Sequence, residues 1–206
     1  MNYQIVLENT LKSLDKNKKL LLHACCAPCS SYVIEYLSNY FDITIFYSND
    51  NIYPKSEYDK RLDEIIRFTS NISDSIKVIY DDYNDKDYYE AVNGHEQDGE
   101  RSIRCYKCYT LRMEKTAKKA KELGYDYFST TLSISPHKNS DWINEIGYKL
   151  EDKYGIKYLY SNFKKEEGYK ESIEMSKEYN LYRQDYCGCE YSLHERKAYD
   201  RSKEGN

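Results

Sequence analysis

The sequence predicts an α/β protein: a single domain over residues 1–206, with a mostly parallel sheet flanked by helices and a C-terminal helical extension. Two observations predict it. Short apolar and β-branched runs alternate with longer stretches of helical spacing as far as Tyr160, the pattern of a parallel sheet covered on both faces. No internal repeat, low-complexity tract or linker interrupts the 206 residues, which suffice for one sizeable core.

Taken in order, Tyr3 to Leu14 reads as a short amphipathic helix. Lys19 to Ala24 is the first strand, with Leu20-Leu21-Leu22 as its buried run. Ser30-Ser31, followed by Val33, Ile34, Tyr36, Leu37 and Tyr40 at helical spacing, places a helix N-cap and a helix directly after it. Asp42 to Ser48 is a second strand, rich in β-branched and aromatic residues. Asn49-Asp50-Asn51 breaks it, and a helix runs from about Ser56 to Phe68. Ile76 to Tyr80 is a third strand, Asp81 to Asp87 an acidic turn, and Tyr88 to Val92 a short helix. Asn93 to Ile103 has two glycines and no periodicity, so it reads as a mobile loop. Cys105 opens a long helix, with Leu111, Met113, Ala117, Ala120 and Leu123 at helical spacing and Gly124 closing it. Tyr125 to Thr131 is a fourth strand, and the loop S-I-S-P-H-K-N leads to a helix over Ser140 to Leu150. Ile156 to Tyr160 is a fifth strand, Lys164 to Gly168 a loop, and Tyr169 to Tyr179 a helix. A last helical stretch, Glu190 to Tyr199, follows Cys187-Gly188-Cys189. Right-handed crossovers would bring the strand ends to one edge. Cys25, Cys26 and Cys29 would then share a rim with Asn49, Asn51, Ser133, His137 and Lys138.

Composition narrows the function. Charged residues make up 32% and hydrophobic ones 40%, with a mean hydropathy of −0.91; the 25 tyrosines add amphipathic bulk that such scales undercount. A net charge of −4 gives no global signal for nucleic acid, so any such site must be a local basic patch. The opening M-N-Y-Q-I-V-L-E-N-T lacks a basic n-region and an apolar h-region, and no apolar run approaches the ~20 residues that span a bilayer. A cytoplasmic protein with no membrane partner is expected. Seven cysteines in a reducing compartment point to metal or redox chemistry.

Three of them fall within five positions at the end of the first strand, where ligands bind in open α/β sheets and where a helix N-terminus favours a thiolate. Cys105-x-x-Cys108 at a helix start is a metal-ligand spacing, and with Cys25 and Cys26 it makes four thiolates. Four cysteines fit tetrahedral zinc or an iron–sulfur cluster. The adjacent pair bites a single ion awkwardly, whereas a [4Fe–4S] cube offers four separate corners. Cys26-Ala27-Pro28-Cys29 also matches a thioredoxin-like active site between strand and helix. Cys187 and Cys189, separated only by Gly188, read as a redox-active dithiol: a disulfide between such near neighbours would be strained and easily reduced. The same segment reads as a mobile tail.

Four segments carry a resemblance: L-L-H-A-C-C-A-P-C-S-S from Leu21, R-C-Y-K-C-Y-T-L-R-M-E-K-T-A from Arg104, T-T-L-S-I-S-P-H-K-N from Thr130, and F-K-K-E-E-G-Y-K-E-S-I-E-M-S-K-E-Y-N-L-Y-R-Q-D-Y-C-G-C-E-Y-S from Phe163. In these the chain resembles the QueH family of epoxyqueuosine reductases, from about Lys19 to Ser192. The resemblance implies a Rossmann-like, HUP-type fold and a cytoplasmic iron–sulfur enzyme that reduces epoxyqueuosine to queuosine at the wobble position of tRNA anticodons. It implies Cys25, Cys26, Cys105 and Cys108 as ligands of a [4Fe–4S] cluster, and a redox-active Cys187–Cys189 pair. Cys29 stands where some members carry an aspartate associated with a second metal ion, so a second mononuclear iron is a further candidate cofactor. The partners implied are tRNA carrying epoxyqueuosine and an unidentified electron donor.

Turning an epoxide into an alkene takes two electrons and two protons and releases water. His23, His137, Tyr106 and Asp185 are candidate proton donors by placement. A tRNA loop calls for stacking and for cations along its backbone. Arg101, Arg104, Lys107, Arg112, Lys138, Lys164, Lys165, Lys170 and Arg183 form the candidate patch. Two other readings use the same cysteines: a non-catalytic zinc-stabilised RNA-binding module, and a thioredoxin-like thiol-disulfide oxidoreductase.

Overall fold

Three consecutive leucines cannot alternate between core and water, so the strand that carries them needs cover on both faces. In the computed structural model of the chain, which describes residues 1–204, that strand is β1 (Lys18–His23), in the middle of a parallel sheet. On one edge it pairs with β2 (Phe41–Tyr47), from Lys18↔Phe41 to His23↔Phe46, and β3 (Lys77–Tyr80) lies beyond. On the other edge it pairs with β4 (Tyr127–Thr130), from Leu20↔Tyr127 to His23↔Thr130, and β5 (Lys157–Tyr158) completes the order β3-β2-β1-β4-β5. The sheet is Rossmann-like.

Side-chain alternation along β1 splits the core. Leu20 and Leu22 face a layer built by α1 (Tyr3–Lys12), α2 (Ala27–Ser38), α3 (Lys55–Ile72) and α7 (Gly168–Glu178). Leu21 faces α5 (Ile103–Glu122) and α6 (Ser140–Tyr154). A smaller cluster joins α4 (Asp85–Val92) to α5 and to the start of α8 (Glu190–Glu204). The chain winds outward from β1 to β2 and β3, then returns to the far side of β1 for β4 and β5. The strand order reverses at the carboxyl ends of β1 and β4, and there an open α/β sheet leaves its crevice.

Several boundaries differ from the sequence reading. α2 begins at Ala27 with Cys26 as its N-cap, ahead of Ser30-Ser31. Pro28 is tolerated in a first turn, and the two serines bond back along the helix instead, Ser30 Oγ to Cys26 O and Ser31 Oγ to Pro28 O. α4 starts three residues early, because Asp85 and Asp87 suit the positive end of a helix. α5 starts at Ile103, which puts Cys105 inside its first turn, and Gly124 (φ +71°) follows its last turn in a Schellman closure: Tyr125 N donates to Ala120 O and Gly124 N to Lys121 O. β5 is cut to two residues, since Asn144 Oδ1 of α6 takes the Ser161 N–H. A 3-10 turn over Thr131–Ile134 opens the loop after β4.

Gly147 on α6 sits against the Tyr158 ring of β5, which a Cβ at 147 would overlap. Alanine gains about 1 kcal/mol of helix propensity over glycine. Overpacking against a buried ring costs more, so Gly147→Ala is expected to lose about 1–2 kcal/mol net, read as a lowered urea midpoint. A midpoint at or above wild type would show that the ring yields.

Candidate metal centre and active-site cavity

The crevice at the end of β1 is filled with sulfur. Cys26 is extended (φ −171°) and offers α2 no side-chain cap, so the orphan amides of that N-terminus favour negative charge beside it. The Sγ atoms of Cys25, Cys26 and Cys29 lie within 4.8 Å of one another, Cys25 and Cys26 at 3.8 Å. Hydrogen bonds from Cys26 and Cys29 hold the Cys25 thiol well below its ordinary range, with help from Lys138 and Arg112. Burial pushes Cys26 up to about 12, and the neighbouring Cys25 raises Cys29. Charge therefore gathers first on Cys25. Gln184 Nε2 donates to Cys26 Sγ at 3.0 Å, and its Oε1 is buried without a partner.

Cys25 and Cys29 open on a cavity of about 420 Å³, together with Cys105, Cys187, Tyr109 and Lys138. Cys108 lies behind this wall, packed with Cys189 and Tyr88, and burial pushes its thiol up to about 12. The four expected ligands thus fall into a compact group (Cys25, Cys26, joined by Cys29), a cavity-facing Cys105 and a recessed Cys108. Burial works against the cations of Lys138 and Arg112, and the surrounding sulfurs more than offset it, Cys187 first for Lys138 and Cys108 first for Arg112. Thiols in this number, backed by cations and an amide donor, suit a negatively charged metal–sulfur group.

Other predicted site residues lie elsewhere. His23 is wholly buried, with Nδ1 2.8 Å from Thr130 Oγ1 and Nε2 3.3 Å from Asn49 Oδ1. Desolvation, then Arg112, lowers its pKa to about 3, so it stays neutral and away from the cavity. As a proton donor it is corrected to a structural link between β1, β4 and the end of β2. Arg104 and Arg112 are also interior, each 2% exposed, and cannot meet a phosphate. Arg104 donates to Glu96 O and pairs with Glu195 at 2.9 Å, tying down the loop that reads as mobile. Arg112 donates to Asn49 Oδ1. Tyr106 bonds Glu145 on the outer face of α5 and α6, away from the cavity. Arg101, His137, Lys138, Arg183 and Asp185 line the cavity, and Arg101 Nη2 meets His137 Nδ1 at 3.0 Å across its mouth. Lys164 Nζ is tied to Lys138 O, Lys165 is exposed, Lys107 half-buried, and Lys170 is paired with Glu167.

The Cys187–Cys189 segment is clamped, not a mobile tail. Arg61, buried on α3, pairs with Glu57 at 2.7 Å and donates to the carbonyls of Cys187 (3.2 Å) and Tyr186 (3.5 Å), over whose ring it lies. Tyr53 N donates to Gly188 O at 2.8 Å, and Gly188 N donates to Ser192 Oγ. Gly188 has φ +134°, and a Cβ there would meet Arg61, Ile52 and Asn51 at 3.1–3.3 Å. Sequence reasoning missed Arg61 and Gln184. Arg61 carried a signal: it falls on the stripe Tyr58, Leu62, Ile65 that α3 buries. Gln184 carried none.

The family described as epoxyqueuosine reductase QueH matches residues 20–195. The epoxyqueuosine reductase QueH of Streptococcus pyogenes serotype M1 is 43% identical over 199 residues, covering 93% of this chain and 78% of that one. That of Thermotoga maritima is 40% identical over 181 residues, 86% of this chain and 92% of the relative. Among solved structures, the U34-tRNA thiolase NcsA from Methanococcus maripaludis with its [4Fe-4S] cluster superposes with a TM-score of 0.51 at 15% identity, over 91% of this chain and 67% of that one. At that identity the likeness is one of fold.

The clamp on the 187–189 segment has a measurable strength. Arg61→Ala would leave the Glu57 carboxylate with the Tyr182 hydroxyl alone and release two carbonyls, at an expected cost of roughly 3–5 kcal/mol. Arg61→Lys keeps a charge for Glu57 and should lose less. Chemical denaturation of both variants checks this; equal losses would mean the fork geometry, not the charge, holds the segment.

Proposed function

The chain belongs to the epoxyqueuosine reductase QueH family, and from that premise we propose how its cavity serves the reaction. The protein is an oxidoreductase of tRNA queuosine biosynthesis that reduces epoxyqueuosine to queuosine. Membership sets aside the zinc-stabilised binding module and thioredoxin-like exchange. The observation that carries the mechanism is the convergence on one cavity of thiols from the β1–α2 junction, from α5 and from the 187–189 segment.

Cys25, Cys26, Cys105 and Cys108 would hold a [4Fe–4S] cluster, which when bound supplies electrons one at a time. Cys29, third thiol of the compact group, is the residue available to a second mononuclear iron. Lys138 keeps its proton beside the sulfurs, so its Nζ is suited to offset negative charge developing on the epoxide oxygen. Asp185 and His137 on the cavity wall are the groups placed to hold and pass the two protons that leave with that oxygen as water. The rings of Tyr109, Tyr169 and Tyr186 line the same space and offer stacking surfaces to a splayed base. Cys187 faces the cavity while Cys189 packs with Cys108. Closing to a disulfide, the pair would give up two electrons and two protons, to be restored by an external electron donor. The reading places the enzyme in the cytoplasm, where thiols stay reduced; no described helix is long and apolar enough to cross a membrane.

Anaerobic protein should be brown and contain iron and sulfide. Changing Cys25, Cys26, Cys105 or Cys108 singly to serine should lower both and abolish queuosine formation, scored by nucleoside analysis of tRNA after incubation with reductant. Cys187→Ser or Cys189→Ser should keep the colour and lose multiple turnover. Full iron and wild-type activity in Cys105→Ala would sink the ligand assignment.

The RNA surface shrinks to its outward cations: Arg101, Lys107, Lys164, Lys165 and Arg183, with Lys138 held among the sulfurs and Lys170 already paired. If these meet phosphate, tRNA affinity should fall as salt rises, and Lys165→Ala with Arg183→Ala should flatten the slope by about 1–2. Binding indifferent to salt would count against the patch.

A further inference from the structure

Three arginines are wholly inside this protein, and they are not alike. Arg61 has Glu57 at 2.7 Å and Arg104 has Glu195 at 2.9 Å. Arg112 has no carboxylate oxygen within 4.0 Å among the described residues. Its Nη2 donates to the neutral Asn49 Oδ1 at 2.6 Å, its Nη1 points at Cys108 Sγ at 3.9 Å, and its Nε is buried without a partner. Burying a guanidinium unpaired is costly, and interiors normally avoid it. Here the position is enforced. Arg112 stands one helical turn after Cys108, so its fork runs back along α5 to that sulfur. Asn49 fixes the other end, with its Nδ2 donating to Ala24 O beside Cys25.

From this we infer that Arg112 is the resident counter-charge of the metal–sulfur group: a positioning residue that holds Cys108 and raises the reduction potential of the centre. The inference rests on the reading that Cys25, Cys26, Cys105 and Cys108 hold an iron–sulfur cluster. Thiolate-ligated clusters are anionic, and each electron added makes them more so. A fixed cation beside one ligand favours the reduced form most. Arg112 is absent from the cavity wall, so it acts through Cys108 and touches no substrate.

The test uses the full chain, purified anaerobically without tRNA, as wild type, Arg112→Met, Arg112→Gln and Arg112→Lys. Met keeps bulk, Gln keeps a donor for Asn49, and Lys keeps charge. Iron and sulfide are assayed, and the midpoint is read by EPR-monitored redox titration. Both neutral variants should shift negative, so that at the wild-type midpoint the ratio of reduced to oxidised centre falls at least tenfold, about 59 mV for one electron. Arg112→Lys should stay within threefold of wild type. Metal-free Arg112→Met should resist urea at least as well as metal-free wild type, because it removes a buried charge that has no carboxylate partner. Neutral variants that fail to load while Arg112→Lys loads would also support the counter-charge. Unmoved midpoints, a metal-free Arg112→Met clearly weaker than wild type, or three folded variants that all fail to load would overturn it. Wild type without iron or sulfide would remove the underlying reading and this one together, whereas a loaded wild type with unmoved variants removes this one alone.

Discussion

β1 is hydrogen-bonded along both edges, to β2 through its whole length and to β4 from Leu20 onward. That double pairing fixes where the chain stands when it leaves the sheet at Ala24. Ala24 N still donates to Phe46 O, and Ala24 O accepts from Asn49, so the backbone entering Cys25 is held from the β2 side. Everything reactive is measured from that point: Cys25 and Cys26 immediately, Cys29 one turn into α2, and the loop after β4 across the crevice. A slip of one residue in β1 would turn Leu21 and Leu22 to the opposite layers and move the sulfur with them.

Charge is distributed around this point in an unusual way. Cations with carboxylate partners do structural work: Arg104 anchors the turn at Glu96 against α8, and Arg61 holds the tail. Among the described residues, Arg112 and Lys138 lack such partners, and the sulfurs around them favour their charge. Arg61 serves both sides, since Cys26 as well as Glu57 favours its cation. Tyr88 and Tyr109, whose hydroxyls are raised mainly by burial, stay neutral and act as walls.

Much of the fold was legible because each element states its period plainly. The leucine run of β1, the β-branched run of β2 and the α5 stripe each admitted one reading. The rest was hidden for physical reasons. Sequence order does not say that β4 returns beside β1, since a crossover leaves no local trace. Serine is a common cap, yet the start of α2 is set by an extended Cys26 and a proline. Charge alone does not place a side chain at the surface: Arg112 shares a helix face with Tyr109, Met113 and Thr116, all buried, and that stripe carries it indoors. The cysteines were found by clustering, whereas Gln184, far away in sequence, had nothing to mark it.

That distance matters when the protein is made. Gln184, which bonds Cys26, is separated from it by 158 residues, and the segment that carries Gln184 and Cys187 is also a wall of the cavity. At ribosomal speeds of about 5–20 residues per second, the sulfurs of the β1–α2 junction leave the tunnel roughly 10–30 s before their cover does. During that interval the nascent chain presents bare, clustered thiols to the cell. The order of synthesis therefore leaves a window in which metal can enter, or oxidants can do harm, before Arg61 and Tyr53 draw the last segment shut.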